Sequence, residues 1–315
     1  MMSTDGLTDR PPADPREILR AERAIANRYW GGIETRIIVE FLVSAAAWII
    51  VVVLGVTGVI PLWLGLILNT AVATTFYMPM HEAAHGNIMG RHPGSKFFED
   101  LIGSLCSIPL GFAYKAHRSS HMRHHAHTND PLRDPDHFTD GPMSGVLTAW
   151  LGQVMLISLL PVFAFVPPAR RLIPARMQIT MAAGGDRTEG LRQLRFWFLT
   201  TAALVIAFLA GFGWQALLLW YLPARLQALW LLFIFAWYPH HPADGVGRYE
   251  HTRVAVFPGS GLLIRGHDHH AVHHLFPRVP HYRLEALWQD MAEDMVAKGV
   301  RCEGRATGAT GPIIW

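Results

Sequence analysis

Charged side chains are scarce in this chain of 315 residues. Asp, Glu, Lys and Arg make up 16% of it, where a soluble domain averages about 25%. Hydrophobic residues make up 51%, and the mean hydropathy is +0.22. That balance argues against a soluble globular protein and against disorder. Cysteine is almost missing. Cys106 and Cys302 are the only two, which excludes a disulfide scaffold and a cysteine-ligated zinc ribbon. The net charge of +3 is too small to point to nucleic acid. The first 40 residues mix acids and bases without an apolar run, so no signal peptide is expected.

What is present is apolar sequence in long blocks. Residues 41–80 hold no charged side chain, about twice the ~20 residues a helix needs to cross a bilayer. Gly55, Gly58 and Pro61 divide this run, which predicts two spans at about 38–58 and 62–80. Further spans are predicted at 196–214 and about 222–239, with Arg225 near an end where it can snorkel to the interface. Residues 101–114 are apolar but too short to cross, and read as a buried or re-entrant segment. Residues 141–169 are interrupted by Pro161, Pro167 and Pro168, and read as interfacial or as dipping in and returning.

Between 170 and 195 lie Arg170, Arg171, Arg176, Arg187, Arg192 and Arg195. Arginine-rich loops stay cytoplasmic, so four spans with both termini inside are expected. A helix is predicted to start at Asp14-Pro15-Arg16-Glu17, with a cap, a proline in the first turn and an acid at the third position. A second is marked by Leu284, Leu287, Met291 and Met295 and closed by Gly299.

The outstanding residue is histidine, present 18 times and absent from 1–80 and 142–239. The histidines follow the second span or the fourth, so the topology brings them to one membrane face. His81 and His85 are four residues apart, on one face of a helix continuing the second span. His121, His124 and His125 form HxxHH, and His270, His273 and His274 repeat it. This spacing predicts three imidazoles on one face of each helix. His240 and His241 end the fourth span. Neutral imidazole is the commonest metal side-chain ligand. Eight or more at one place exceed a single tetrahedral zinc site and suffice for two ions with four or five each. His117, His127, His137, His267 and His269 read as outer partners or bystanders, and His92, His251 and His281 as solvated surface residues. Asp130, Asp134, Asp136 and Asp268 are candidates to orient ligand imidazoles, although Asp134 and Asp136 flank Pro135 and suit turn capping equally.

Three other readings compete. His81-Glu82-Ala83-Ala84-His85 spells HExxH, the zinc metalloprotease pattern, with Glu82 as general base. It leaves both HxxHH triplets unexplained. A histidine-rich metal transporter needs polar residues within its spans, and these offer little beyond Asn69, Gln215 and Gln227. A non-catalytic metal-binding membrane protein is the third.

HEAAHG at 81–86, HMRHHAHTNDP at 121–131 and HHAVHHLFPRVPHYRL at 269–284 resemble the three histidine boxes of the membrane fatty acid desaturase superfamily. The resemblance runs from about residue 37 to 290. It implies an all-α bundle of about four transmembrane helices (37–290), preceded by an N-terminal segment with an amphipathic helix (1–36) and followed by a C-terminal tail (291–315), both cytoplasmic. It also implies a cytoplasmic helical cap holding two non-haem irons, with O₂ as co-substrate. The ligands it implies are His81, His85, His121, His124, His125, His270, His273 and His274, with His240 or His241 added after the fourth span. The implied activity is desaturation or hydroxylation of a fatty acyl chain, in the cytoplasmic (inner) membrane. With no fused cytochrome domain in the sequence, electrons are expected from a separate donor such as a ferredoxin or similar reductase chain. Two features depart from the acyl pattern: Glu82 stands where many members have Asp, and the segment Trp237 to Pro242 with Arg248-Tyr249 and Thr252-Arg253 is closer to the carotenoid hydroxylases and ketolases of the superfamily.

Overall fold

A computed structural model describes residues 14–92, 94–175, 177–178 and 187–315. Arg176 lies outside them.

The described residues open with α1 (Pro15–Ala26), where the Asp14 side chain accepts from the Arg16 N–H at 2.9 Å, as the cap pattern predicts. Four helical stretches are long and apolar enough to cross a membrane. The first is α2 (Thr35–Val56). The second is continuous from Leu62 to His85, built from α3 (Leu62–Thr75) and α4 (Tyr77–His85). The first histidine pair therefore rides on the end of a span. Gly86 stops α4 in the left-handed conformation, φ 71°, which a residue with a side chain adopts only at a cost.

Next come α5 (Ser95–Leu110) and α6 (Tyr114–His127). The α5 helix occupies the segment predicted to be buried or re-entrant. One face packs on α4, while Phe97, Phe98, Leu101, Leu105 and Ile108 stay exposed on the other. Gly103 lets the two helices approach: a Cβ there would meet the Tyr114 ring at 2.4 Å. From that position the Tyr114 hydroxyl donates to the Ala83 carbonyl at 2.9 Å, tying the second box helix to the first. The proline-broken segment forms α7 (Gly145–Ser158) and α8 (Leu160–Phe165), both too short to span.

The third span is α9 (Arg187–Leu209), which starts and ends earlier than the predicted 196–214, so that Arg187, Arg192 and Arg195 lie in the helix and not in a loop, and it buries none of its residues. The fourth is α10 (Gly213–Trp237), wider than the predicted segment and loosened into π-turns at Leu217–Tyr221 and Leu232–Trp237. Its Arg225 does not snorkel. The side chain is 8% exposed and lies 4.1 Å over the Tyr221 ring, so a cation–π contact inside the bundle replaces the water expected at its head.

The cap that follows contains β1 (Arg253–Val256), α11 (Ser260–Leu263), α12 (His270–Leu275), α13 (Leu284–Ala297) and β2 (Arg301–Gly304). The strands pair in parallel, Arg253 opposite Arg301, and are an addition to the predicted all-α plan. Two buried charges meet between them, Arg253 to Glu303 at 2.8 Å. Arg253 also donates to the Tyr238 and Ile314 carbonyls at 2.7 Å, which binds the C-terminal tail to the end of α10. Leu284, Leu287, Met291 and Met295 are buried against α12, as their spacing predicts.

Candidate metal centre

The histidines from α4, α6, the end of α10 and α12 converge into two groups. His81, His85, His121, His125 and His273 form one, and His124, His240, His270 and His274 the other. Within each, one nitrogen per ring lies within 4.8 Å of all the rest. The predicted grouping of each HxxHH triplet is thus split. Residues i and i+4 point nearly the same way, whereas i+3 and i+4 diverge by about 100°. His121 and His125 accordingly share the first group while His124 turns to the second. His270 and His274 share the second while His273 turns to the first. Each triplet feeds both groups.

The spacings match a metal and not a hydrogen-bond network. His85 Nε2 lies 2.9 Å from His121 Nε2, which lies 3.1 Å from His125 Nε2, which in turn lies 3.1 Å from His273 Nε2. In the second group His240 Nε2 lies 3.2 Å from His124 Nε2 and 3.0 Å from His270 Nε2, and the latter is 3.0 Å from His274 Nε2. A neutral imidazole has one donor and one acceptor, so one ring cannot use the same Nε2 for two neighbours. Two ligands at right angles around an ion ~2.1 Å away are about 3.0 Å apart. The donor set therefore fits two all-imidazole metal ions.

Electrostatics agree. Burial pushes His121, His125, His240, His270, His273 and His274 well below the ordinary imidazole range, helped by neighbouring rings. That favours the neutral ring, the form that binds metal. His124 differs: burial opposes its charge, but Asp134, with Asp136 behind it, holds its pKa above the usual value. His124 Nδ1 is 2.8 Å from Asp134 Oδ1. In its neutral form the ring donates that N–H to Asp134 and leaves Nε2 as the lone-pair nitrogen facing the group. Asp134 caps the loop as well, accepting from the Asn129 and Asp136 N–H groups at 2.8 Å. Thr128 does the same for His274. Its hydroxyl donates to the His124 carbonyl at 2.7 Å and faces His274 Nδ1 at 3.2 Å, where it can only accept.

The other candidates separate clearly. His241 joins neither group and stacks on Trp237 at 4.6 Å. Asp130 caps Leu132 and Arg133, and Asp268 binds His269 and Ser260, so neither reaches a grouped imidazole. His117 stacks on His121 at 5.5 Å, His251 lies 5.1 Å from His274, and His127 and His137 stay outside the groups. His92 is exposed as expected.

His281 is not a surface residue. It is 3% exposed, with Nδ1 2.9 Å from Glu82 Oε1 and Nε2 3.5 Å from Glu40 Oε2. Glu82 is also occupied by the His281 backbone N–H at 2.7 Å and by the Asn87 amide at 2.6 Å. Both its oxygens are taken, so it is not poised as the general base that HExxH suggested. It anchors the first box helix to the cap.

The family profile described as fatty acid desaturase matches residues 57–305. A beta-carotene ketolase from Paracoccus sp. is 27% identical over 249 residues, covering 78% of this chain and 82% of that protein. A chloroplastic omega-6 fatty acid desaturase from Brassica napus is 25% identical over 288 residues, covering 81% of this chain and 56% of that protein. An sn-1 acyl-lipid omega-3 desaturase (ferredoxin) from Synechocystis is 26% identical over 221 residues, covering 65% and 60%. With four membrane-length helices and a paired histidine centre beneath this profile, the chain belongs to the fatty acid desaturase family and is an integral membrane oxidoreductase acting on lipid.

Proposed function

We propose that the protein is an O₂-dependent, non-haem di-iron enzyme that desaturates or hydroxylates a fatty acyl chain. The carrying observation is the pair of convergent imidazole groups. His81, His85, His121, His125 and His273 would hold one iron, and His124, His240, His270 and His274 the other. An unactivated methylene C–H bond resists side-chain acid–base chemistry, and a di-iron centre supplies the O₂-derived oxidising power to break it. The residues of this chain do the rest. Asp134 and Thr128 fix which ring nitrogen faces inward. The Glu82–His281 contact holds α4 against the cap. Tyr77, 4.5 Å from Phe235 and 5.8 Å from His81, packs between the apolar spans and the first group. The arginines before α9 and in its first turns support a cytoplasmic side of the inner membrane for the centre and both termini. Electrons come from a separate donor of the ferredoxin kind, in line with the Synechocystis relative's name.

A second reading, oxygenation of a carotenoid ring, is favoured by the Paracoccus ketolase, which matches over most of both chains. Expression in a bacterium making phospholipids and β-carotene separates the two. Total fatty acids and carotenoids are compared by mass spectrometry with those of the His273→Ala variant. A new acyl double bond or hydroxyl, absent in the variant, is the expected result. A carotenoid gaining oxygen would replace the acyl reading with the second one. No change in either pool, from protein carrying two irons, would overturn both.

A further inference from the structure

Of the imidazoles that pack on the centre and belong to neither group, His267 touches both groups, whereas His117 and His251 each touch one. His267 is 1% exposed. Its ring lies 4.9 Å from His81, 4.9 Å from His270 and 5.4 Å from His273. Rings already within one group, such as His81–His85 at 4.8 Å and His240–His270 at 4.7 Å, are hardly closer. On its far side the ring meets Phe235 at 4.7 Å, edge to face. The backbone fixes this place. Gly266 has φ 90°, and a Cβ there would meet the His281 carbonyl at 2.3 Å.

By distance and angle neither Nδ1 nor Nε2 of His267 has a hydrogen-bond partner among the described residues, and only the Arg265 backbone lies near enough to act on the ring as an acceptor. Buried polar atoms are normally paired: His281 lies between Glu82 and Glu40, and His269 lies 3.0 Å from Asp268, while His117, His137, His241 and His251 each leave one buried ring nitrogen without a partner and His267 leaves both. Only His81, a member of the first group, shares the condition of two buried ring nitrogens without a partner.

We propose that His267 is a further metal ligand, the fifth imidazole for the ion at His124, His240, His270 and His274. This rests on the di-iron reading above. The first group already has five rings, the second has four, and His267 packs directly on His270. Its nitrogens fall outside the 4.8 Å set, so loading turns the ring toward His270.

The test uses the full chain purified in detergent and loaded with Fe(II) or Co(II). Bound metal is counted by elemental analysis, and Co(II) absorption reports the ligand field without any turnover. Wild type is expected to hold two ions. His267→Ala weakens one of them by more than about 100-fold, beyond the ~10- to 100-fold that outer partners account for, changes one Co(II) band, and recovers with added imidazole. His267→Phe, which fills the same space against Phe235, shows the same loss without recovery. Two tightly held ions with unchanged spectra in both variants would overturn the proposal. So would a loss in the Ala variant that the Phe variant does not share, because that loss would come from the cavity. Wild type without metal would instead sink the di-iron reading itself.

Discussion

The two imidazole groups are built from one residue type on shared helices, yet they are held differently. The first draws two rings from α4, the end of a span, and is walled by Tyr77 and neighbouring histidines; His81 has no hydrogen-bonded ring nitrogen. The second draws His240 from the end of α10, and two of its rings lean on Asp134 and Thr128. The first is thus oriented by packing and the second partly by hydrogen bonds. Packing tolerates charge-neutral substitution, whereas a hydrogen-bonded tautomer does not. The groups should therefore fail in different ways.

The sharpest break is at His121, whose Nε2 neighbours both His85 and His125. His121→Ala should abolish lipid oxidation, with a loss beyond about 100-fold, since outer partners alone account for about 10–100-fold. Elemental analysis should show the ion of the five-ring group lost first. Retained activity would mean that this group is not a metal site. Asp134→Asn comes next. The amide keeps one acceptor but turns a donor toward either the His124 ring or the Asn129 N–H. A drop of about 10–100-fold in affinity is expected for the ion of the four-ring group only, read by metal titration. An equal drop for both ions would erase the contrast.

A smaller effect lies at the anchor of α4. Burial opposes a charge on His281, but Glu40 and Glu82 raise its pKa above the usual value. A raised pKa in the fold means that the charged ring stabilises the protein. That contribution is complete below about pH 6.5, the unfolded value, and fades as pH climbs through the folded value. The Tm gap between wild type and His281→Gln should be widest near pH 6 and shrink by pH 9. A contribution of ~1 kcal/mol corresponds to a gap of about 2–4 °C. A gap that grows with pH would refute the charged anchor.

Much of this was legible in the sequence. The spans follow from composition, because a bilayer demands a length of apolar helix that nothing else in the chain imitates. The boxes follow from spacing, because i and i+4 residues share a helix face. What spacing cannot supply is the opposing surface. It puts His124 beside His125 but not on different ions, since that depends on where α12 and the end of α10 dock. His281 looks like a loop residue after Pro280, and only Glu82 and Glu40, far off in the chain, bury it. The β1–β2 pair is four residues per strand, too short for a periodic signal, and it joins positions about fifty apart. Arg225 reads as a snorkelling end because nothing in the sequence reveals the Tyr221 ring beneath it.

The smallest expected effect concerns the neighbour pair that spacing could not separate. His240 and His241 are adjacent, so their side chains diverge, and only one can face the rings of α6 and α12. His240 is 8% exposed and within 3.2 Å of His124; His241 is half-buried and lies flat on Trp237. His240→Ala should empty the four-ring site. His241→Ala removes a stacking contact, worth about 0.5–1.5 kcal/mol, and should leave metal content unchanged and activity within about threefold. If His241→Ala also releases an ion, the chain end at α10 is held by the stack on Trp237, and the four-ring group depends on packing as much as the first one does.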